Sequence, residues 1–154
     1  MKKISVSIVL SFLVFNVFAQ ITINEQGIYL NENNEPYNGR YIEEFSNGLV
    51  KLDIFLKEGK LHGEYVSYFE NGNPHEKRMY DDGKKVNRWE TFNKDGLKIA
   101  EASFRNDVKH GKWLVWDENG TLRYDMKYKN GNRSDLWRIY NEEGEIISEK
   151  NYDQ

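Results

Sequence analysis

Residues 111–120 read Gly-Lys-Trp-Leu-Val-Trp-Asp-Glu-Asn-Gly, and residues 63–72 read Gly-Glu-Tyr-Val-Ser-Tyr-Phe-Glu-Asn-Gly. The same pattern recurs along the chain with a period of 24 residues. Five aromatic residues recur with this period, namely Tyr41, Tyr65, Trp89, Trp113 and Trp137. Five glycines recur with the same period, namely Gly48, Gly72, Gly96, Gly120 and Gly144. A fixed period of this length is typical of repeat proteins, in which each unit buries its apolar side chains only against its neighbours.

The first four units each contain two turn signals separated by an alternating stretch, and the fifth unit ends before its second turn. In the fourth unit these signals are Glu118-Asn119-Gly120 and Lys129-Asn130-Gly131, and residues 122–128 between them alternate apolar and polar. Asn-Gly pairs favour hairpins because glycine accepts positive φ without steric cost. A period of two indicates a half-buried antiparallel strand. The sequence therefore predicts an all-β fold, an elongated antiparallel β-meander of about five 24-residue hairpin repeats in a single twisted sheet. The repeats start at residues 39, 63, 87, 111 and 135.

The segment before the repeats predicts export of the protein. Residues 1–19 begin with Lys2 and Lys3, continue as an apolar stretch and end in small residues around Ala19, which is typical of a secretory signal peptide. Cleavage is expected near Ala19, which would place the mature protein in the periplasm or outside the cell. The alternative for this segment is an N-terminal membrane anchor. We interpret residues 20–38 as a lead-in or cap and residues 39–154 as the repeat domain.

The charge of the chain argues against several classes of partner. The net charge of −3 becomes −5 once Lys2 and Lys3 are removed with the leader. A mildly acidic surface of mixed sign argues against nucleic acid and against an anionic membrane surface. The mature chain contains no apolar stretch long enough for a membrane span. The chain contains no cysteine, so its stability must come from packing.

The second to fifth units each carry two aromatic residues three positions apart, so stacked units would form two aromatic columns. The second column consists of Tyr68, Phe92, Trp116 and Tyr140. An odd spacing within a strand places two side chains on opposite faces of the sheet, so we expect one buried and one exposed column. The alternative is that both columns only hold the sheet together. A three-residue turn with a glycine bulge would pair Trp116 with Leu122 on the inner face and turn Trp113 outward. This predicts Tyr65, Trp89, Trp113 and Trp137 as an exposed partner-binding column whose rings contribute little to stability.

Polar residues of the repeats do not indicate a catalytic or metal site. His62 and His110 are two units apart, roughly 19 Å across four strands, which is too far for both to bind one zinc ion. Carboxylates recur once per unit, as at Asp53 and Glu101, but on positions expected to be solvated, where no raised pKa is expected. The sequence therefore predicts a protein that is not an enzyme, with no catalytic residue, no metal site and no cofactor.

The units at residues 63–72 and 111–120 resemble the MORN-repeat variant found in bacterial proteins that are often described as antitoxin-like. The resemblance covers residues 37–154 and implies an elongated, curved β-array used for binding, without catalytic residues. The pattern departs from its consensus at Asn87 and Asp135, which replace the opening glycine, and at Asp107, which replaces a turn glycine. The leading hypothesis is an exported scaffold that binds a protein partner. The alternatives are a glycan-binding module that uses the exposed aromatic column, and a toxin-neutralising protein.

Overall fold

The computed structural model describes residues 20–153, which form twelve strands and no helix. The strands are β1 Thr22–Ile23, β2 Tyr29–Leu30, β3 Gly39–Glu44, β4 Val50–Lys57, β5 Lys60–Tyr68, β6 Pro74–Asp81, β7 Lys84–Phe92, β8 Lys98–Arg105, β9 Val108–Trp116, β10 Leu122–Lys129, β11 Asn132–Tyr140 and β12 Ile146–Asn151. The expected signal peptide, residues 1–19, lies outside the described residues.

Strands β3 to β12 form one sheet in which every strand pairs antiparallel with its neighbours in the sequence. The sheet is therefore a ten-stranded meander of hairpins, and the predicted fold class is confirmed. Strands β1 and β2 form a separate two-stranded sheet within the lead-in. The meander follows from the short turns, because a connection of two or three residues can join only adjacent antiparallel strands.

The first turn of each unit is a three-residue turn that ends in a glycine bulge. In the first unit the Phe45 N–H donates to the Leu49 carbonyl at 2.8 Å, and the Gly48 N–H donates back to the Phe45 carbonyl at 3.0 Å. The corresponding glycines have φ values between 80° and 85°, in Gly48, Gly72, Gly96, Gly120 and Gly144. The turn pairs Trp116 with Leu122, and the register shifts by one residue immediately afterwards.

The second turn, which the first four units contain, has two central residues, both with positive φ. These values are 50° and 86° at Asn130 and Gly131, and 48° and 67° at Asn106 and Asp107. Positive φ at both positions defines the type I′ turn, whose twist matches that of the flanking strands. Asp107 can replace glycine because the short polar side chains of Asp and Asn tolerate the left-handed region better than other residues.

The residue that opens each unit also lies in the left-handed region. The φ angle is 81° at Gly63 and 98° at Gly111, and it is 56° at Asn87 and 57° at Asp135. This conformation explains why only Gly, Asn and Asp occupy the position. The sequence analysis did not identify this second irregularity of the repeat. The register shifts at this position, and such bulges bend a strand and increase its twist.

The alternation of side chains gives the sheet two faces. We call the face that carries Tyr65, Trp89 and Trp113 the ladder face, and the other, which carries Tyr68 and Trp116, the opposite face. The pairing register separates them, because Trp113 lies across from Ala102 and Met126, whereas Trp116 lies across from Leu122. The two aromatic columns therefore point in opposite directions.

Neither aromatic column is buried as a core, which corrects the expectation of one buried and one exposed column. Every ring of both columns is partly exposed, because a single-layer sheet has no second layer to cover it. Among the described residues, the hydrophobic side chains that are fully buried are Ile54 and Leu56, which are 1% and 0% exposed. Both lie on β4, beside the lead-in.

The lead-in covers the ladder face at the N-terminal end of the sheet. The Tyr29 N–H donates to the Gly59 carbonyl at 2.8 Å, and the Gly59 N–H donates to the Tyr37 carbonyl at 2.9 Å. A Cβ on Gly59 would lie 2.7 Å from the Tyr29 carbonyl oxygen, so glycine is needed for this close approach. Burial raises the pKa of Tyr29, and the neighbouring Tyr65 hydroxyl raises it further. Residues 20–38 thus shield the first rings of the ladder face.

Candidate functional site

A continuous row of eight aromatic rings crosses strands β5 to β12 on the ladder face. Successive ring centroids are 4.9 to 6.2 Å apart and the ring planes are inclined by 51° to 63°. We call this row the aromatic ladder; its members are Tyr65, Tyr80, Trp89, Phe104, Trp113, Tyr128, Trp137 and Tyr152. It contains all four predicted partner-binding residues, which are Tyr65, Trp89, Trp113 and Trp137. The other four rings were not identified by the sequence analysis, although they also recur every 24 residues.

The register of the strands makes the ladder continuous. Tyr128 lies opposite Gly111 and Tyr80 lies opposite Gly63, so each of these rings faces a residue without a side chain. The space above the glycine allows the ring to contact the Trp or Tyr two residues further along the neighbouring strand. Glycine covered by a cross-strand ring is a recognised device in β-sheets. The unit-opening glycine therefore serves both the bulge and the ladder.

A hydrogen bond fixes each tryptophan of the ladder. The indole Nε1–H of Trp89, Trp113 and Trp137 donates to the carbonyl oxygen of Met79, Ser103 and Lys127, at 3.1, 3.1 and 3.0 Å. Each acceptor lies ten residues earlier, on the preceding strand. The bond ties each indole to the backbone of the preceding strand and restricts the rotation of the ring.

Cationic side chains lie over the rings of the ladder. The Lys109 Nζ is 4.2 Å from the centroid of Trp113 and 4.8 Å from that of Tyr128. Lys85 and Arg133 occupy the equivalent position in their units, each over two rings at 4.9 to 5.4 Å. Contacts at these distances are cation–π interactions, which hold the charge beside the ring. The 24-residue spacing of these three residues was the sequence signal for this feature, and it was missed.

The ladder face of β5 to β12 carries an excess of positive charge. Its strand-paired positions hold these charged residues: Glu76, Arg78, Lys85, Lys109, Arg133 and Lys150. Glu76 forms an ion pair with Arg78. Among the described residues, the other four cations have no carboxylate within 4.0 Å. Carboxylates are therefore rare on this face, whereas on the opposite face they lie among the cations, as Glu90 and Glu101 do.

The opposite face carries charges of both signs, and several of them form ion pairs. Arg40 donates two hydrogen bonds to Asp53, at 2.8 and 2.7 Å, and these bonds lower the pKa of that carboxyl. Lys98 Nζ lies 2.7 Å from a carboxylate oxygen of Glu101, whose side chain is only 11% exposed. The recurring carboxylates are thus less solvated than expected. A lowered pKa is the reverse of what a general acid requires.

The second aromatic column lies on the opposite face, on every second strand. Its rings are therefore roughly 9–10 Å apart and do not form a ladder. Lys77 lies over Phe92 at 5.5 Å and Lys98 lies over Trp116 at 5.2 Å. At that separation these rings do not contact one another, so they do not form a continuous row.

The three histidines do not lie together: His62 and His110 occupy the same position of units two periods apart, and His75 lies elsewhere in its unit. The Nδ1 atoms of His62 and His110 accept hydrogen bonds from the Asp82 and Asn130 N–H groups, both at 3.4 Å. His75 packs against Phe69, with the two ring centroids 4.5 Å apart. In the part of the chain that the structure describes, no group of three or more His, Cys, Asp or Glu side chains is placed to hold a metal ion.

The comparisons with known proteins concern the repeat. Residues 61–82 and residues 109–130 each match the family model described as MORN repeat variant. The two segments are 48 residues apart, which is two periods, and each spans a first turn and the strands on both sides of it. A comparison with curated proteins gives no match to the chain. No helix in residues 20–153 is long and apolar enough to cross a membrane.

Proposed function

We propose that this chain, a protein of MORN repeats of the variant type, is a non-catalytic scaffold that binds a protein partner on its ladder face. The observation that carries the proposal is the aromatic ladder itself, a row of eight partly exposed rings on one side of a sheet, with cations over them. Energetic hot spots of protein interfaces are enriched in Trp, Tyr and Arg. The rings span roughly 34 Å across eight strands, long enough for a large interface.

The ladder is also rigid before a partner arrives, which favours tight binding. The indole hydrogen bonds, the ring contacts and the cations over the rings fix most of its side chains. Little side-chain entropy is then lost on association, and this loss is one of the main costs of forming an interface.

The glycan-binding alternative has less support from the geometry. Sugar rings stack on flat aromatic faces, and the ladder rings are inclined to one another with faces occupied by neighbouring rings or cations. A toxin-neutralising role would be one form of protein binding, and it would use the same ladder face. Absence of catalysis is supported by the ion pairing of the recurring carboxylates, such as Asp53 with Arg40.

Export is part of the proposal and has its own test. We expect the leader to be removed between Ala19 and Gln20, because small residues follow the apolar stretch. Mass spectrometry of the protein recovered outside the cytoplasm should give a chain that begins at Gln20. Recovery of exported protein with Met1 intact would contradict the prediction.

Face-specific photo-crosslinking tests the proposed binding surface. Benzoylphenylalanine would replace Thr91 or Ser148 on the ladder face, and Lys112 on the opposite face as the matched control. In cells that produce the chain, we expect ultraviolet light to give adducts at Thr91 and Ser148 in which mass spectrometry finds peptides of a second protein, and no adduct at Lys112. Adducts only at Lys112, or adducts whose added mass is removed by glycosidases, would contradict the proposal.

A further inference from the structure

Three cations of the ladder face are evenly spaced and fixed in position. Lys85, Lys109 and Arg133 lie on β7, β9 and β11, so each is two strands from the next. Strands lie about 4.7–4.9 Å apart, which gives a spacing of roughly 9.4–9.8 Å. Each cation is held over two rings, and none has a carboxylate partner among the described residues. The result is a row of positive charges that crosses the strands of the sheet.

The two faces of the sheet differ in how their charges are arranged. On the opposite face, carboxylates lie among the cations and form ion pairs, such as Glu149 with Arg138 at 3.0 Å. On the ladder face, the strand-paired positions of β5 to β12 hold five cations and one carboxylate, Glu76. A surface of cations with few carboxylates favours an anionic partner and fixes its orientation by charge. A row of three charges further favours a linear ligand with negative charges at the same spacing.

We infer that the ladder face binds an acidic, proline-containing protein segment in the polyproline II conformation, which crosses the strands along the row of cations. This inference rests on the proposed function and names the chemistry of the partner. A polyproline II helix has three residues per turn and a rise of about 3.1 Å, so every third side chain lies on the same side at intervals of about 9.3 Å. An acidic residue at every third position would therefore meet Lys85, Lys109 and Arg133 in turn.

Other extended or helical segments fit the row less well. In a β-strand, side chains three residues apart point to opposite sides, so acidic residues at every third position could not all face the row of cations. In an α-helix, residues seven apart lie on the same face at a spacing of about 10.5 Å. Acidic side chains at this spacing would be displaced by roughly 2 Å from the third cation. Proline rings also match the aromatic surface between the cations, since polyproline II segments dock into aromatic-lined grooves.

Peptide titration tests the inference with the tryptophan fluorescence of the full mature chain. The probe is (Glu-Pro-Pro)5, and the comparisons are (Lys-Pro-Pro)5 and a peptide of the same composition with unevenly spaced Glu. We expect saturable binding of the first peptide and at least about tenfold weaker binding of both comparisons. Binding should weaken as salt is raised, because exposed charges are screened.

Variants that remove charge test whether the peptide binds at the row of cations. The triple variant Lys85→Gln, Lys109→Gln, Arg133→Gln should weaken binding of (Glu-Pro-Pro)5 by about tenfold or more. The matched control is the triple variant Lys84→Gln, Lys112→Gln, Lys129→Gln, which removes the same charge from the opposite face and should change binding less than about twofold. The single variant Lys109→Gln provides a second measurement if the first triple variant does not fold.

The outcomes separate this inference from the proposed function. Equal binding of the even and uneven Glu peptides, or equal effects of the two triple variants, would overturn the inference. Tighter binding of an oligouronate than of any peptide would overturn it in favour of an anionic glycan. Failure of all peptides while Thr91 still gives protein adducts would refute the acidic segment and leave the proposed function standing. If no peptide binds and Thr91 gives no protein adduct, the ladder face is not a binding surface.

Discussion

Replacement of Trp113 by alanine is expected to lower the free energy of unfolding by about 3 kcal/mol, near the lower end of the cost for removing a packed Trp because the ring is partly exposed. The substitution removes contacts to Phe104 and Tyr128, at centroid distances of 5.4 and 5.3 Å, and the cation–π contact with Lys109. It also leaves the Ser103 carbonyl without its indole donor. Urea denaturation followed by circular dichroism would measure the loss.

Two further variants show which contacts matter. Trp113→Phe keeps a ring and loses the indole hydrogen bond, so a loss of about 1 kcal/mol is expected. Tyr124→Ala removes a ring from the same face, where the side chain is 42% exposed and outside the ladder, and should cost clearly less than Trp113→Ala. Equal losses for Tyr124→Ala and Trp113→Ala would show that the ladder contributes nothing specific.

This prediction differs from the one made from the sequence. An exposed ring was expected to contribute little to stability, because it was treated as an isolated side chain on the outer face. The structure shows that the same ring packs between two others, which gives it a structural role in addition to any role in binding. A binding assay of a ladder variant must therefore be accompanied by a measurement of folding.

Deletion of one whole unit should leave a folded protein, whereas deletion of half a unit should abolish cooperative folding. Removal of residues 87–110 joins Val86 to Gly111, which brings a glycine to the left-handed position of Asn87 and keeps the direction of every later strand. The shortened chain should unfold cooperatively with a smaller urea m-value, because less surface is exposed on unfolding.

Removal of residues 99–110 deletes a single strand and reverses the direction of all that follow. Trp113 would then occupy the place of Glu101, across from Glu90 on the opposite face, and the Phe104 ring that joins Trp89 to Trp113 would be missing. We expect no cooperative transition by urea denaturation of this variant. Equal stability of the two deletion variants would show that the units do not stack as the ladder requires.

The local parts of the fold could be predicted because they depend on residues close together in the chain. Asn119-Gly120 specifies a turn through the φ that glycine accepts, and the alternation in residues 122–128 specifies a strand. The 24-residue period then repeats these local choices along the sheet. Four of the eight ladder rings were identified in this way, since they recur at the same place in each unit.

The remaining parts of the site depend on register between strands, which no local pattern determines. The unit-opening residues, such as Gly63 and Asn87, place bulges in the strands, and these bulges decide which rings meet across them. The interleaving of Tyr80 and Phe104 with Trp89, and the position of Lys85 over two rings, follow from that register.

By itself the sequence thus determined a meander of hairpins with two aromatic columns, because turns and alternation are local. Only the tertiary structure decided that one column joins four further rings in a continuous ladder with cations such as Lys109 over its rings. The reason is that contacts between strands depend on how far each bulge shifts one strand against the next.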